Sequence, residues 1–160
     1  MTRPILNLND VELHEQSHGE RFGCRLGLVG DKIGAKKLGY NLTVILPGKA
    51  AWPCHAHMVN EEMFLILEGE GEVRIGPERY PIKTGDVIAC PPGGAETAHQ
   101  MINTSTKDLR VLAVSTKLVP EVVEYPDSNK TGVAVVVPGK EAPLRFLVRS
   151  GTTLDYWEGE

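Results

Sequence analysis

The sequence has no long hydrophobic run. Its longest, Met63 to Leu67 and Val133 to Val137, are five residues each, against the roughly 20 a helix needs to cross a bilayer. No membrane partner is expected. Basic charge is scarce as well. Seventeen Lys and Arg stand against 21 Asp and Glu, a net charge of −4, and Lys36-Lys37 is the only adjacent basic pair. The footprint of a nucleic-acid binder is therefore missing, and no nucleic acid is expected as a partner. Cysteine is limited to Cys24, Cys54 and Cys90, an odd count without CxxC spacing. This argues against a disulfide framework and for buried thiols in a reducing compartment. The N-terminus carries one early Arg and no apolar signal-like stretch, so a cytoplasmic location is the expectation. Gly27, Gly30 and Gly34 have no βαβ pattern around them, which removes a nucleotide-binding fold. Repeats of 20 to 50 residues and low-complexity tracts are absent too.

What the chain does have is punctuation. Seventeen Gly and 11 Pro in 160 residues divide it into short, often alternating segments, the pattern of an all-β sandwich or barrel of one domain. From Tyr40 to Leu46, the residues Tyr40, Leu42, Val44 and Leu46 share one face and Asn41, Thr43 and Ile45 the other, with Pro47-Gly48 as the stop. Glu62 to Leu67 reads as a strand, Glu68-Gly69-Glu70-Gly71 as a turn and Glu72 to Ile75 as its hairpin partner, closed by Gly76-Pro77. Val87 to Cys90 and Leu109 to Ser115 follow as strands, with weaker candidates at Phe22 to Val29, Val133 to Val137 and Leu144 to Val148.

The stretch richest in chemistry is His55-Ala56-His57, then Glu62, with a further imidazole at His99. Residues two apart on a strand point to the same face, about 6 to 7 Å apart along the backbone, so His55 and His57 could share one metal ion. Two solvated imidazoles on a surface strand are the alternative at this spacing. Glu62 could add a carboxylate and His99 a third imidazole. Such a mixed N/O set suits iron, manganese, nickel, copper or zinc and leaves positions open for water or substrate.

The surrounding residues resemble the two motifs of the cupin superfamily. Gly48, six residues, His55-Ala56-His57, four residues, Glu62, six residues and Gly69 match the first. Gly85, five residues, Pro91-Pro92-Gly93, five residues, His99, three residues and Asn103 match the second, with 15 residues separating Gly69 from Gly85. Two spacings depart: six residues rather than five precede His55, and the Gly93 to His99 gap exceeds the family's shortest form. The resemblance implies a jelly-roll β-barrel (a double-stranded β-helix) with one divalent transition metal inside. It places His55, His57, Glu62 and His99 at the four ligand positions. Strand parity does not choose between Glu61 and Glu62; the six-residue gap to Gly69 favours Glu62. The resemblance covers residues 40–115 well and divides the chain into N-terminal strands and loops at 1–39, a barrel core at 40–116 and a C-terminal extension at 117–160.

Tyr40, Trp52, Phe64 and Met101 lie near the motifs and are candidates to line a pocket, although each is more often a core residue. Arg74, Arg110, Lys140, Arg145 and Arg149 could clamp an anion, but none is singled out, and His14 and His18 read as exposed. Function is read more coarsely than fold. The expectation is a mononuclear metalloenzyme acting on a small polar molecule, of dioxygenase, sugar or sugar-phosphate isomerase, or decarboxylase type. The alternative is a non-catalytic small-molecule or sugar binding or sensing module. Leu154-Asp155-Tyr156-Trp157-Glu158 in the tail would be better buried against a partner, so a homodimer is expected.

Overall fold

The computed structural model describes residues 3–136 and 143–160. Thirteen strands carry the architecture: β1 (His14–His18), β2 (Phe22–Leu28), β3 (Leu38–Ile45), β4 (Ala56–His57), β5 (Glu62–Glu68), β6 (Glu70–Ile75), β7 (Glu78–Lys83), β8 (Val87–Cys90), β9 (His99–Ile102), β10 (Leu109–Thr116), β11 (Glu121–Tyr125), β12 (Lys130–Val135) and β13 (Leu144–Arg149). They form a six-stranded sheet in the order β1-β2-β3-β10-β5-β8, a three-stranded sheet β7-β6-β9 and a four-stranded sheet β13-β12-β11-β4. Among the described residues the helical elements are three short 3-10 turns, at Leu8–Asp10, Asp31–Ile33 and Pro126–Ser128. The fold is the all-β jelly roll that the sequence predicts. No helix among the described residues is long and apolar enough to cross a membrane.

Alternation of apolar side chains explains how the sheets close. Ile66 on β5, Leu109 and Val111 on β10, Val73 on β6, Ile82 on β7 and Met101 on β9 point into one core between the six-stranded and three-stranded sheets. Each such side chain stabilises by about 1.5–3 kcal/mol on full burial. The opposite face of β3 packs a second core in which Leu42 and Val44 meet Val11 and Val29. The three cysteines are free and buried. His14 and His18 sit on the exposed edge strand β1.

The expected hairpin between residues 62–67 and 72–75 does not form. β5 pairs with β10 and β8, whereas β6 pairs with β7 and β9. Gly69 between them has φ +92°, and a Cβ there would lie 2.6 Å from the Asp108 carbonyl oxygen. Glycine alone fits both the left-handed backbone and the close approach, and the chain turns a corner from one sheet to the other. The hairpin forms one step later, where Gly76-Pro77 joins β6 to β7. β7 escapes a sequence reading because Pro81 interrupts it; as an edge strand it tolerates the missing donor.

The C-terminal segment is stitched to the barrel through β11, which pairs with β4 by Val123 opposite His57 and Glu124 opposite Ala56. Arg74 on β6 adds a two-pronged ion pair to Asp127 at 2.7 and 3.0 Å, a geometry that fixes orientation as well as charge. The strand expected at Val133 to Val137 is β12, shifted to Lys130–Val135; Val137 and Lys140 lie outside the described residues.

Candidate metal centre

His55 and His99 are held by their backbones before their side chains are considered. The two residues exchange both amide hydrogen bonds, His55 N to His99 O at 3.1 Å and His99 N to His55 O at 2.8 Å. This antiparallel bridge brings their rings to a centroid separation of 4.7 Å. Glu62 opens β5 on the parity that also turns Phe64 and Ile66 inward, while Glu61 is exposed. The Nε2 atoms of His99, His57 and His55 lie 2.9, 3.4 and 3.9 Å from Glu62 Oε2. Ligand atoms of His55, Glu62 and His99 all fall within 4.8 Å of one another, close enough to hold a metal ion. His57 stands beside that group, in contact with the same carboxylate oxygen.

The far nitrogens of the paired histidines are also occupied. His55 Nδ1 donates to the Pro53 carbonyl at 2.9 Å, and His57 Nδ1 donates to Glu121 Oε2 at 3.2 Å. In the neutral ring each contact places the proton on Nδ1 and leaves the Nε2 lone pair free, as metal-binding histidines require. Glu121 is 7% exposed. It accepts from the amides of Val59 and Asn60 at 3.2 Å each, from its neighbour Val122 at 2.9 Å and from the Asn60 side chain. Asn60 in turn accepts from Leu118 N at 2.7 Å and Thr116 Oγ1 at 2.8 Å. A buried carboxylate so fully hydrogen-bonded is a rigid stop for His57.

The electrostatics follow. Burial, with His99 and His57 nearby, pulls His55 down to about 4. Burial also opposes a charge on His57, but Glu62 and Glu121 outweigh it and its pKa ends raised. Burial would raise Glu62, yet its hydrogen bonds to His57 and His99 hold it well below the usual carboxylate range. The Cys90 thiol, buried and facing the Glu62 charge, is pushed up to about 12 and stays protonated.

Above this cluster opens a cavity of about 300 Å³ lined by His55, Glu62 and His99, by Asn41, Thr43 and Ile45 of β3, by Val111 and Ala113 of β10, and by Ala51, Trp52, Pro53, Phe64, Gln100, Met101 and Tyr125. Trp52, Phe64 and Met101 thus stand on the cavity wall. Tyr40 does not: it packs into the second core with Leu42 and Val44. Strand parity is the reason, since Asn41, Thr43 and Ile45 take the inward face of β3 and Tyr40 the outward one. None of the described basic candidates lines the cavity. Arg74 binds Asp127 and Arg110 faces Glu68 at 3.5 Å, while Arg145 and Arg149 lie on the exposed β13.

Two site residues were not legible in advance. Glu121 and Tyr125 belong to β11, a segment flanked by Pro120 and Pro126 that gives no alternation to recognise. Tyr125 stacks on His55 with centroids 6.0 Å apart. The available signal was a carboxylate and a phenol of like parity, four residues apart, which without the fold has no partner to point at.

Residues 41–115 match the Cupin domain family. The chain carries a cupin domain. Among solved structures it is similar to a candidate sugar phosphate isomerase from Acidithiobacillus ferrooxidans, with 26% identity, TM-score 0.79 and coverage of 92% of each chain. It is 34% identical over 71 residues to an uncharacterized protein of Methanocaldococcus jannaschii, covering 44% of this chain and 54% of that one. It is 27% identical over 134 residues to auxin-binding protein 1 of Arabidopsis thaliana, covering 78% of this chain and 65% of that protein. The chain thus spans between half and two thirds of the length of these two relatives.

Proposed function

We propose that this cupin is a mononuclear metalloenzyme in which His55, His57, Glu62 and His99 hold one divalent transition metal beside a cavity for a small polar substrate. The observation that carries the reading is the convergence of three imidazole Nε2 atoms on one carboxylate oxygen that has no Lys or Arg partner among the described residues. The donor set fits: three neutral nitrogens and one carboxylate suit iron, manganese, nickel, copper or zinc. A bound ion would supply Lewis acidity to a substrate oxygen or, with iron, a route to dioxygen. Glu121 and the Pro53 carbonyl orient the imidazoles, Tyr125 buttresses His55, and the apolar walls exclude water from the reacting face.

The reaction is of isomerase or dioxygenase type. The likeness to the Acidithiobacillus protein over nearly the whole chain supports the first. A second reading, a binding module without turnover, draws support from the likeness to a protein named for ligand binding and from the predominantly apolar cavity wall. We further propose a homodimer in the cytoplasm, with residues 1–39 and 117–160 packed around a barrel core at 40–116. β13 is exposed along its whole length and Tyr156 and Trp157 are 85% and 72% exposed, as a surface awaiting a second copy would be.

Protein reconstituted separately with each of the five metals decides among these readings. Oxygen uptake with the iron form identifies a dioxygenase. Solvent deuterium entering a sugar or sugar phosphate carbon, followed by NMR, identifies an isomerase. Ligand binding with neither signal under any metal would contradict catalysis and leave the binding module.

A further inference from the structure

Two unpartnered surfaces of the C-terminal segment complement each other. The first is the face of the β11-β12-β13 sheet that carries Tyr125. Tyr125, Lys130 and Arg149 lie directly opposite one another across the three strands, and so do Val123, Gly132 and Leu147. All six therefore turn to one side, with Arg145 on the same parity as Leu147. Between Tyr125 and Leu147 opens a hollow of about 260 Å³, lined also by Arg145 and Phe146. Gly132 adds no side chain to its floor, where a Cβ would lie 3.6 Å from Tyr125 Cε2 and 3.7 Å from Leu147 Cδ1. The cations of this face are uncompensated. Lys130 and Arg149 are like charges set opposite each other, which is unfavourable, and the described ion pairs of Lys and Arg involve neither of them nor Arg145. Glu121 shares the face but is buried and committed to His57, Val59 and Asn60. Glu124 has the opposite parity, and Asp127 is held by Arg74.

The second surface is a turn from Asp155 to Glu158, in which Glu158 N donates to Asp155 O at 3.1 Å and Trp157 N to Asp155 Oδ1 at 2.8 Å. It holds the rings of Tyr156 and Trp157 edge to face, with centroids 4.9 Å apart. Leu154, Tyr156 and Trp157 are 79%, 85% and 72% exposed, and Asp155, Glu158 and Glu160 flank them in sequence. We infer that this acidic, aromatic knob of a second copy seats in the hollow, its carboxylates against Lys130, Arg145 and Arg149. The exchange is reciprocal, which closes the pair with twofold symmetry. This names the contact within the homodimer proposed above and rests on that reading. The area is adequate. Each buried ring contributes about 150–250 Å², so four rings and the surface they cover approach the roughly 1,200 Å² of a specific interface. Tyr125 lines both the hollow and the metal cavity, so the seated knob lies one side chain away from that cavity.

Sedimentation equilibrium of the full chain tests this with two charge reversals. Arg145→Glu with Arg149→Glu makes the rim of the hollow acidic, and Asp155→Lys with Glu158→Lys makes the knob basic. The wild type should dimerise, and each reversed protein should raise the dimer dissociation constant at least about tenfold. An equimolar mixture of the two should associate as the wild type does, because both contacts again join opposite charges. Trp157→Ala, at an exposed position that the core does not lean on, should also weaken the dimer at least about tenfold, and it covers the case in which a reversed protein fails to fold. A dimer unaffected by Trp157→Ala, reversed proteins that dimerise as the wild type does, or reversed proteins that ignore each other when mixed overturns this contact and leaves the homodimer to another surface. A wild type that stays monomeric, including one whose knob docks on its own chain, overturns the homodimer and this inference with it.

Discussion

β11 and β13 belong to one sheet, with only β12 between them, yet their surroundings are opposite. β11 lies on the barrel: Glu121 is buried against His57 and Asn60, and Tyr125 stacks on His55. On β13 every residue is exposed, Phe146 by 50% and Leu147 by 59%. The C-terminal segment therefore has two edges with different work. Its inner edge orients groups of the candidate metal centre, and its outer edge presents apolar side chains that no described residue covers.

The contrast can be broken or sharpened by substitution. The largest effect is expected in the barrel core, where Leu109 is fully buried: Leu109→Ala should cost about 2–5 kcal/mol in denaturant unfolding. A loss no larger than that of a β13 substitution would contradict the assignment of stability to the barrel. Next comes the inner edge. Glu121→Gln should weaken metal affinity about 10–100-fold in a competitive chelator titration, with Glu121→Asp in between. An unchanged affinity would reduce Glu121 to a structural carboxylate.

Acid provides the third test. His55 is held at about 4 when folded, against an ordinary value of 6.5, so the unfolded chain takes up a proton between these two pH values that the folded chain refuses. Stability attributable to His55 is present above pH 6.5 and lost as pH falls toward 4. The metal-free wild type should therefore lose stability relative to His55→Gln across that window, by up to about 1.4 kcal/mol per pH unit. Parallel melting curves at every pH would contradict the burial of His55. The smallest effect belongs to the outer edge. Phe146→Ser should alter unfolding by no more than about 0.5 kcal/mol at a concentration where the chain sediments as a monomer. A dimer that dissociates on this substitution would support β13 as the shared surface, and one that persists would oppose it.

Much of the barrel was legible because its signals are local. The alternation from Tyr40 to Ile45, the turn glycines and the spacing of His55, His57 and Glu62 are each written within a few residues, and His99 closes a second short run of Gly85, Pro91-Pro92-Gly93 and Asn103. What was not legible depends on the third dimension. The corner at Gly69 looks like a hairpin turn until Asp108 approaches it. Tyr40 looks like a pocket residue until β3 presents its other face to the cavity. Glu121 lies 64 residues from His57, and no local pattern could tie a carboxylate between two prolines to that imidazole. The second core, the β4–β11 pairing and the Arg74–Asp127 clasp belong to the same class of long-range contact.

The central claim is that one metal ion is held by the barrel histidines and Glu62, with the C-terminal segment aiming His57. Metal content by plasma mass spectrometry, on untagged protein beside His57→Ala and His99→Ala, tests it most directly. The account predicts near one equivalent of a divalent transition metal in the wild type and its loss in both variants. No metal in the wild type even after reconstitution, or equal metal in all three proteins, would contradict it.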